Sequence, residues 1–231
     1  MEYPKSDYKE YPKTLDPDDV WGQVRRTVFG KPVSDEQIAL IVDAIRSGLQ
    51  LAKPACLLDL ACGNGALSKY FFDECASFLG VDYSEYLISV AKRKFESLPD
   101  YTFSCSDVAS YVQGERHPER FTHALCYGSF AFFPAEDAAT ALRILRQRFT
   151  NVQRLYIGNL PDRDLAASFF PSGKDYAADL DQHASQIGIW RSRQQMTELA
   201  NETGWDIEFR SMPESFFAAH YRYDVVLTPM R

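Results

Sequence analysis

No window of this chain reaches the roughly 18 consecutive apolar residues that a membrane-spanning helix needs. The opening MEYPKSDYKEYPK also lacks the apolar core of a secretory leader. Basic residues are in deficit, with 25 Lys and Arg against 32 Asp and Glu and a formal net charge of −7. A protein built to grip phosphodiester backbones usually shows the reverse balance, which disfavours nucleic acid as a partner. Cysteine is sparse: Cys56, Cys62, Cys75, Cys105 and Cys126 include no C-x-x-C pair, so the usual zinc signature is missing. Most of them sit in apolar runs, as reduced thiols of a cytoplasmic protein do. These absences leave a cytoplasmic chain with no expected metal, and 231 residues allow one substantial domain with room for an insertion.

The first residues are polar and carry EYPK twice, at 2–5 and 10–13. They read either as a solvated arm or as an arm whose tyrosines fold over a ligand. VWGQVRRTVFG (20–30) reads as a short helix stopped at Gly30, which sets residues 1–30 apart from a main domain at 31–231. Ser34 and Gln37 have the spacing of a capping box. Ile38, Ile41, Val42, Ile45 and Leu49 then share one helical face. From residue 55 short apolar runs alternate with helical ones: strands at 55–60, 77–82, 101–107, 121–129 and 152–160, with GALSKYFFDECA, 84–95, a weak VASYV and 134–149 as helices. That alternation predicts an α/β fold, a doubly wound, mainly parallel sheet with helices on both faces. Residues 161–190 interrupt it and suit a lid or substrate insertion. A helix capped by Ser192 and Gln195 follows. WDIEFRS and YDVVLTP then close the chain as antiparallel neighbours, having no helix between them.

LLDLACGNGAL (57–67) is the stretch that points to chemistry. Ligands of open α/β sheets bind beyond the carboxyl ends of the strands, and the first strand–helix turn is the usual place. Gly63 and Gly65 permit unusual dihedrals and close backbone approach, Asp59 sits near the strand end, and Asp82 ends the next strand. An acid there accepts both hydroxyls of a ribose, so the pattern indicates a nucleoside-containing ligand. A dinucleotide fingerprint would read Gly63, Gly65 and Ser68, with serine where a small third residue belongs. A P-loop is missing its Gly-Lys-Ser/Thr.

DLACGNG (59–65), VDYS (81–84), CSDVAS (105–110) and CYGSFAFF (126–133), with the closing strand pair, resemble the class I S-adenosylmethionine-dependent methyltransferases in ordered succession over about residues 35–231. The resemblance implies a Rossmann-like sheet with an antiparallel last strand and S-adenosylmethionine as cofactor. It implies Asp59 on the cofactor's ammonium, Asp82 on its ribose, Asp107 beside its adenine, and Tyr83 and Val108 as adenine walls. Ala61, Gly63, Asn64 and Gly65 would lie beneath the methionine part, and Tyr127 would flank the cofactor. Gln23, Arg25 and Arg26 fall where some relatives close over the cofactor carboxylate, Arg26 being the candidate partner.

Methyl transfer asks mainly for alignment, but a hydroxyl acceptor benefits from a general base. His183, inside 161–190, is the candidate; His220 is a second, and His123 reads as a packing residue of its strand. The family's Asp/Asn-Pro-Pro-aromatic element of nucleic-acid base methylation is missing, which favours a small-molecule acceptor. Phe169, Phe170, Tyr176 and Trp190 suit either a closed pocket or a satellite core, and Arg163, Lys174, Arg191 and Arg193 either a phosphate reader or a solvated face. IGNLPDRD (157–164) loosely resembles bacterial methyltransferases of glycans and sugars. The resulting expectation is O-methylation of a sugar, nucleotide sugar or phosphorylated intermediate. N-methylation of an amino sugar or small amine, a catalytically inactive cofactor-binding partner protein and a nicotinamide oxidoreductase are the alternatives. Oligomeric state is not legible.

Overall fold

The computed structural model describes residues 7–231, so the first EYPK lies outside the described residues. Asp7–Glu10 (α1) runs into a 3₁₀ turn at Tyr11–Thr14, and Val20–Gln23 (α2) is a single helical turn capped by Asp19, which accepts from Gly22 N. The helix expected to reach Gly30 stops there. Thr27–Val28 (β1) instead pairs antiparallel with Lys31–Pro32 (β2) across Phe29 and Gly30, both at positive φ (49° and 77°). Two such residues make the two-residue turn whose twist suits a hairpin, and β-branched Thr27 and Val28 favour extension over helix.

Asp35–Leu49 (α3) buries the predicted face. Its capping box does not form: the Ser34 hydroxyl makes no bond to the helix backbone, and the Gln37 amide reaches across the molecule. Gln37 Nε2 donates to Ser215 O and its Oε1 accepts from Phe217 N, each at 2.9 Å.

The main sheet is built from Cys56–Leu60 (β3), Ser77–Asp82 (β4), Tyr101–Cys105 (β5), His123–Tyr127 (β6), Arg154–Pro161 (β7), Trp205–Arg210 (β8) and Arg222–Pro229 (β9). Their spatial order is β5-β4-β3-β6-β7-β9-β8; β9 lies antiparallel between β7 and β8, and the other pairings are parallel. The order in which strands are added reverses between β3 and β6, and this is the switch point where such sheets bind ligands. Glu85–Phe95 (α4), Val108–Gly114 (α5), Ala135–Arg148 (α6), the short Ala166–Phe169 (α7) and Arg193–Glu202 (α8) complete the helices among the described residues. GALSKYFFDECA forms a 3₁₀ stretch at Ser68–Glu74 rather than an α-helix, consistent with the poor helix propensity of its Tyr-Phe-Phe run.

Two apolar cores cover the two faces of the sheet. Leu57 belongs to one, with α3, Phe71 and Trp190; Leu58 and Leu60 belong to the other, with α6 and α8. The alternation is the period of two that an extended strand imposes. Ser192 and Gln195 form the predicted capping box of α8, and Gly204 follows its end at φ +86°. No helix among the described residues is long and apolar enough to cross a membrane.

Candidate active site

The carboxyl ends of β3 to β7 open into one cavity of about 1200 Å³. Asp59 is 3% exposed, and its Oδ2 accepts from Ser68 Oγ at 2.6 Å. Burial pushes its carboxyl up to about 7; the Ser68 bond and the Arg26 guanidinium pull it down, and Asp82 pushes it further up. Ser68, the residue that spoils the dinucleotide fingerprint, is therefore the orienting partner of the first acid. Asp82 is 5% exposed and accepts from Gly63 N and Ser84 N, each at 2.9 Å. Burial raises it to about 6 against the pull of these amides. An ionised carboxylate offers about four lone-pair directions, so these two bonds leave room for a ligand diol. Asp107 caps α5 by accepting from Ser110 N at 2.9 Å, and it lines the cavity with Tyr83, Leu87, Val108 and Ala109.

The glycines of the turn answer to the protein's own packing. Gly63 has φ +60°, and a Cβ there would stand 2.8 Å from Val24 Cγ1. Gly65 has φ +74°, and its Cβ would stand 2.8 Å from the Phe103 ring. Ala61 also takes a left-handed conformation, φ 58°. Asn64 faces the arm: its Nδ2 donates to Val20 O (2.8 Å) and Gln23 Oε1 (3.0 Å). Buried Gln23 in turn donates to Asp16 O and Pro17 O. With Ser84 Oγ donating to Tyr8 O at 2.9 Å and an ion pair between Lys94 and Asp18, the arm is fastened along the cavity wall. Tyr8, Lys9, Tyr11, Trp21, Arg25 and Arg26 all line it.

Of the three candidates near the arm, Gln23 is thus a strut outside the cavity. Arg25 lies over the Tyr11 ring (3.7 Å), and Arg26 sits between the rings of Tyr127 (5.2 Å) and Trp21 (5.4 Å). Arg26 and Asp59 offer opposite charges at one end of the cavity, the complement of a zwitterionic amino acid. With Asp82 placed for a diol and apolar walls beside Asp107, the donor set fits S-adenosylmethionine.

His183 and His220 line the cavity. His123 does not: it is buried in β6 with Nδ1 3.0 Å from Thr122 Oγ1, and burial lowers its pKa. None of the four cations weighed as phosphate readers, Arg163, Lys174, Arg191 and Arg193, lines the cavity. Arg163 pairs with both oxygens of Asp181 (2.5 and 3.1 Å), Lys174 with Asp179 (3.1 Å) and Arg193 with Asp162 (3.6 Å), while Arg191 is buried over the Phe130 ring. Phe169, Phe170, Tyr176 and Trp190 stack with one another and with Tyr221 at centroid distances of 4.5 to 5.8 Å. They extend the main core on the α3 face rather than forming a satellite of their own, and of the four only Phe169 reaches the cavity. Sequence reasoning missed Asn159, Phe216 and Phe217 as lining residues. The 11-residue connection at 211–221, too long for a tight hairpin and carrying two adjacent phenylalanines, was the available signal for the last two.

Residues 57–150 match the family described as a methyltransferase domain. The same fold recurs in the DhpI–SAH complex, 14% identical with a TM-score of 0.65, over 97% of this chain and 94% of that one. It recurs in magnesium protoporphyrin IX methyltransferase of Synechocystis PCC 6803 with bound SAH, 16% identical with a TM-score of 0.56, over 84% and 82%. Residues 57–150 thus match a methyltransferase domain, and the fold is shared with proteins solved with bound SAH. A chain in the complex of the Haloferax volcanii Trm112 methyltransferase activator with a methyltransferase is also similar in fold: 13% identity, a TM-score of 0.65, over 85% and 91%. No curated protein matches the chain in sequence. Among the described residues, no cluster of three or more His, Cys, Asp or Glu is placed to hold a metal ion.

The raised acids predict a pH dependence. Without ligand, the fold holds the Asp59 and Asp82 protons more tightly than the unfolded chain, whose carboxyls titrate near 3.8. These two groups therefore make the fold less stable as pH climbs from there through about 7. A ligand ammonium on Asp59 favours its ionised form. S-adenosylhomocysteine is thus expected to bind more tightly as pH rises from about 6 to about 8, releasing protons below about 7. Calorimetry in two buffers of different ionisation enthalpy reads that release. A flat affinity with no released proton would remove Asp59 from the ammonium site.

Proposed function

We propose that this chain is an S-adenosylmethionine-dependent methyltransferase that places the methyl group on a hydroxyl oxygen of a small polar acceptor. The observation that carries this reading is that His183 and His220 share a cavity with Asp59 and Asp82. A hydroxyl gains from a base with a pKa near neutrality, whereas an amine need only arrive neutral. A cavity of about 1200 Å³ also exceeds the 300–1000 Å³ typical of a single small ligand, leaving space for an acceptor beside the cofactor.

In this reading Asp82 holds the ribose, Asp107 the adenine amino group, Asp59 the ammonium and Arg26 the carboxylate, with Tyr83 and Val108 against the base. Ala61, Gly63, Asn64 and Gly65 form the floor, and Tyr127 flanks it. When bound, the cofactor supplies an electrophilic methyl group on a sulfonium. The protein's part is alignment, exclusion of water by the arm, and receipt of the acceptor's proton at an imidazole nitrogen of His183 or His220. Residues 161–190 contribute Phe169, His183, Gln186 and Ile187 as the acceptor wall. A phosphate-bearing acceptor loses support, because Arg163, Lys174, Arg191 and Arg193 do not line the cavity.

The test is a screen of hydroxyl- and amine-bearing small molecules with methyl-labelled S-adenosylmethionine, the product methyl being located by NMR. Label on oxygen supports the reading and label on nitrogen overturns it. His183→Ala or His220→Ala, whichever removes the base, is expected to lower kcat by about 10²–10⁴ with S-adenosylhomocysteine binding unchanged. Full activity in both variants would exclude an imidazole base.

A further inference from the structure

The register of β7 against β9 slips between Ile157 and Leu160, and Asn159 occupies the irregularity with φ +66°. Asparagine is among the few residues that tolerate this conformation, and here its backbone is pinned from both sides. Its N–H donates to Asp224 Oδ1 at 2.6 Å, and its carbonyl accepts from Arg222 Nη1. Asp224, 1% exposed, is itself fixed by the Tyr156 hydroxyl, which donates to Oδ2 at 2.6 Å. The result is a side chain set at the cavity wall. Its Nδ2 lies 3.6 Å from where a Cβ of Gly128 would stand, and Arg26 Nη2 lies 3.8 Å from the same point. Its Oδ1 is buried with no hydrogen-bond partner. Native proteins rarely leave such an oxygen unsatisfied, because its desolvation is then uncompensated.

Position says what would satisfy it. Asp59, Asp82 and Asp107 stand at the ends of β3 and β4 and just after β5, so the ammonium, ribose and base of the cofactor lie on that side, and only its carboxylate, at Arg26, reaches toward β6. Gly128 and Asn159 follow β6 and close β7, on the other side of the switch point. We propose that Asn159 is the specificity-determining contact for the methyl acceptor, its Oδ1 accepting a hydrogen bond from a hydroxyl of a small molecule. Asp224, Tyr156 and Arg222 are its positioning residues. The inference rests on the proposed function and adds the atom that recognises the acceptor.

The test uses the full chain saturated with S-adenosylhomocysteine, with phenol as the hydroxyl probe and anisole as the same ring without a donor, read by ligand-observed NMR titration. Wild type is expected to prefer phenol by about tenfold, the worth of one hydrogen bond of roughly typical strength. Asn159→Gly keeps the left-handed backbone and removes the amide, so the preference is expected to fall to about one. Asn159→Asp keeps an acceptor oxygen and is expected to retain the preference. S-adenosylhomocysteine affinity and melting temperature, measured on each variant, are expected to stay at wild-type values for Asn159→Gly. A preference that survives in Asn159→Gly, or none in wild type, overturns the proposal. Because these titrations read binding without turnover, label appearing on nitrogen in the acceptor screen would sink the O-methylation reading separately.

Discussion

Asp82→Ala is expected to weaken S-adenosylhomocysteine binding by two to four orders of magnitude. Two ribose hydroxyls donating to an ionised carboxylate are worth about 1.5–3 kcal/mol each, and about 1.4 kcal/mol is a factor of ten. The substitution also strips partners from Gly63 N and Ser84 N, so the turn that carries the rest of the floor loosens with it. Asp82→Asn separates the two effects in part: it retains one carbonyl acceptor but turns an NH₂ group toward one of the two amides. Calorimetric titration of both variants, with circular dichroism to establish that each is folded, is the measurement. A folded Asp82→Ala protein binding within tenfold of wild type would show that the ribose is held elsewhere.

The second large effect concerns folding. Gly65→Ala is expected to cost about 2–5 kcal/mol, the sum of a left-handed conformation imposed on a residue with a Cβ and overpacking against an aromatic wall. The new Cβ would stand 2.8 and 2.9 Å from Phe103 ring atoms and 3.3 Å from Phe95. Phe103 is itself buried against Phe78, which limits its retreat. At roughly 2–4 °C per kcal/mol for a domain of this size, the melting temperature should drop by about 10 °C. Gly63→Ala is the informative contrast. Its obstacle is Val24 Cγ1, a side-chain methyl on the arm, so the damage should fall on the arm's seat more than on the sheet. Equal melting temperatures for Gly65→Ala and wild type would mean that the Phe103 wall is softer than its burial implies.

What could be read from the chain alone divides along a physical line. The parallel strands were legible because β3 and β6 are buried along their whole length and show as continuous apolar runs between turns. The acids at 59, 82 and 107 were legible because each stands at or just beyond a strand end, a local position. The Ser34–Gln37 pattern misled because the same glutamine has a better use in tertiary contact, and a sequence pattern carries no record of distant partners. The arginines at 163 and 193 could not be assigned from sequence for the same reason: the acid that each one pairs with lies 18 or more residues away. The seating of the arm was out of reach altogether. Asn64 and Ser84 anchor it largely through the backbone carbonyls of Val20 and Tyr8, and a carbonyl looks the same in every residue.

The close approach of Val24 to Gly63 has a further consequence, for how this sequence can drift. The space above residue 63 is set by a methyl group 39 positions earlier, and the space above residue 65 by a ring 38 positions later. A larger residue in the turn becomes sterically admissible only in a lineage where its distant neighbour has already shrunk, and even then the left-handed backbone restricts the choice. Positions 24 and 63 are therefore sterically coupled, as are 65 and 103, so a change in the short glycine motif is also a demand on two remote segments.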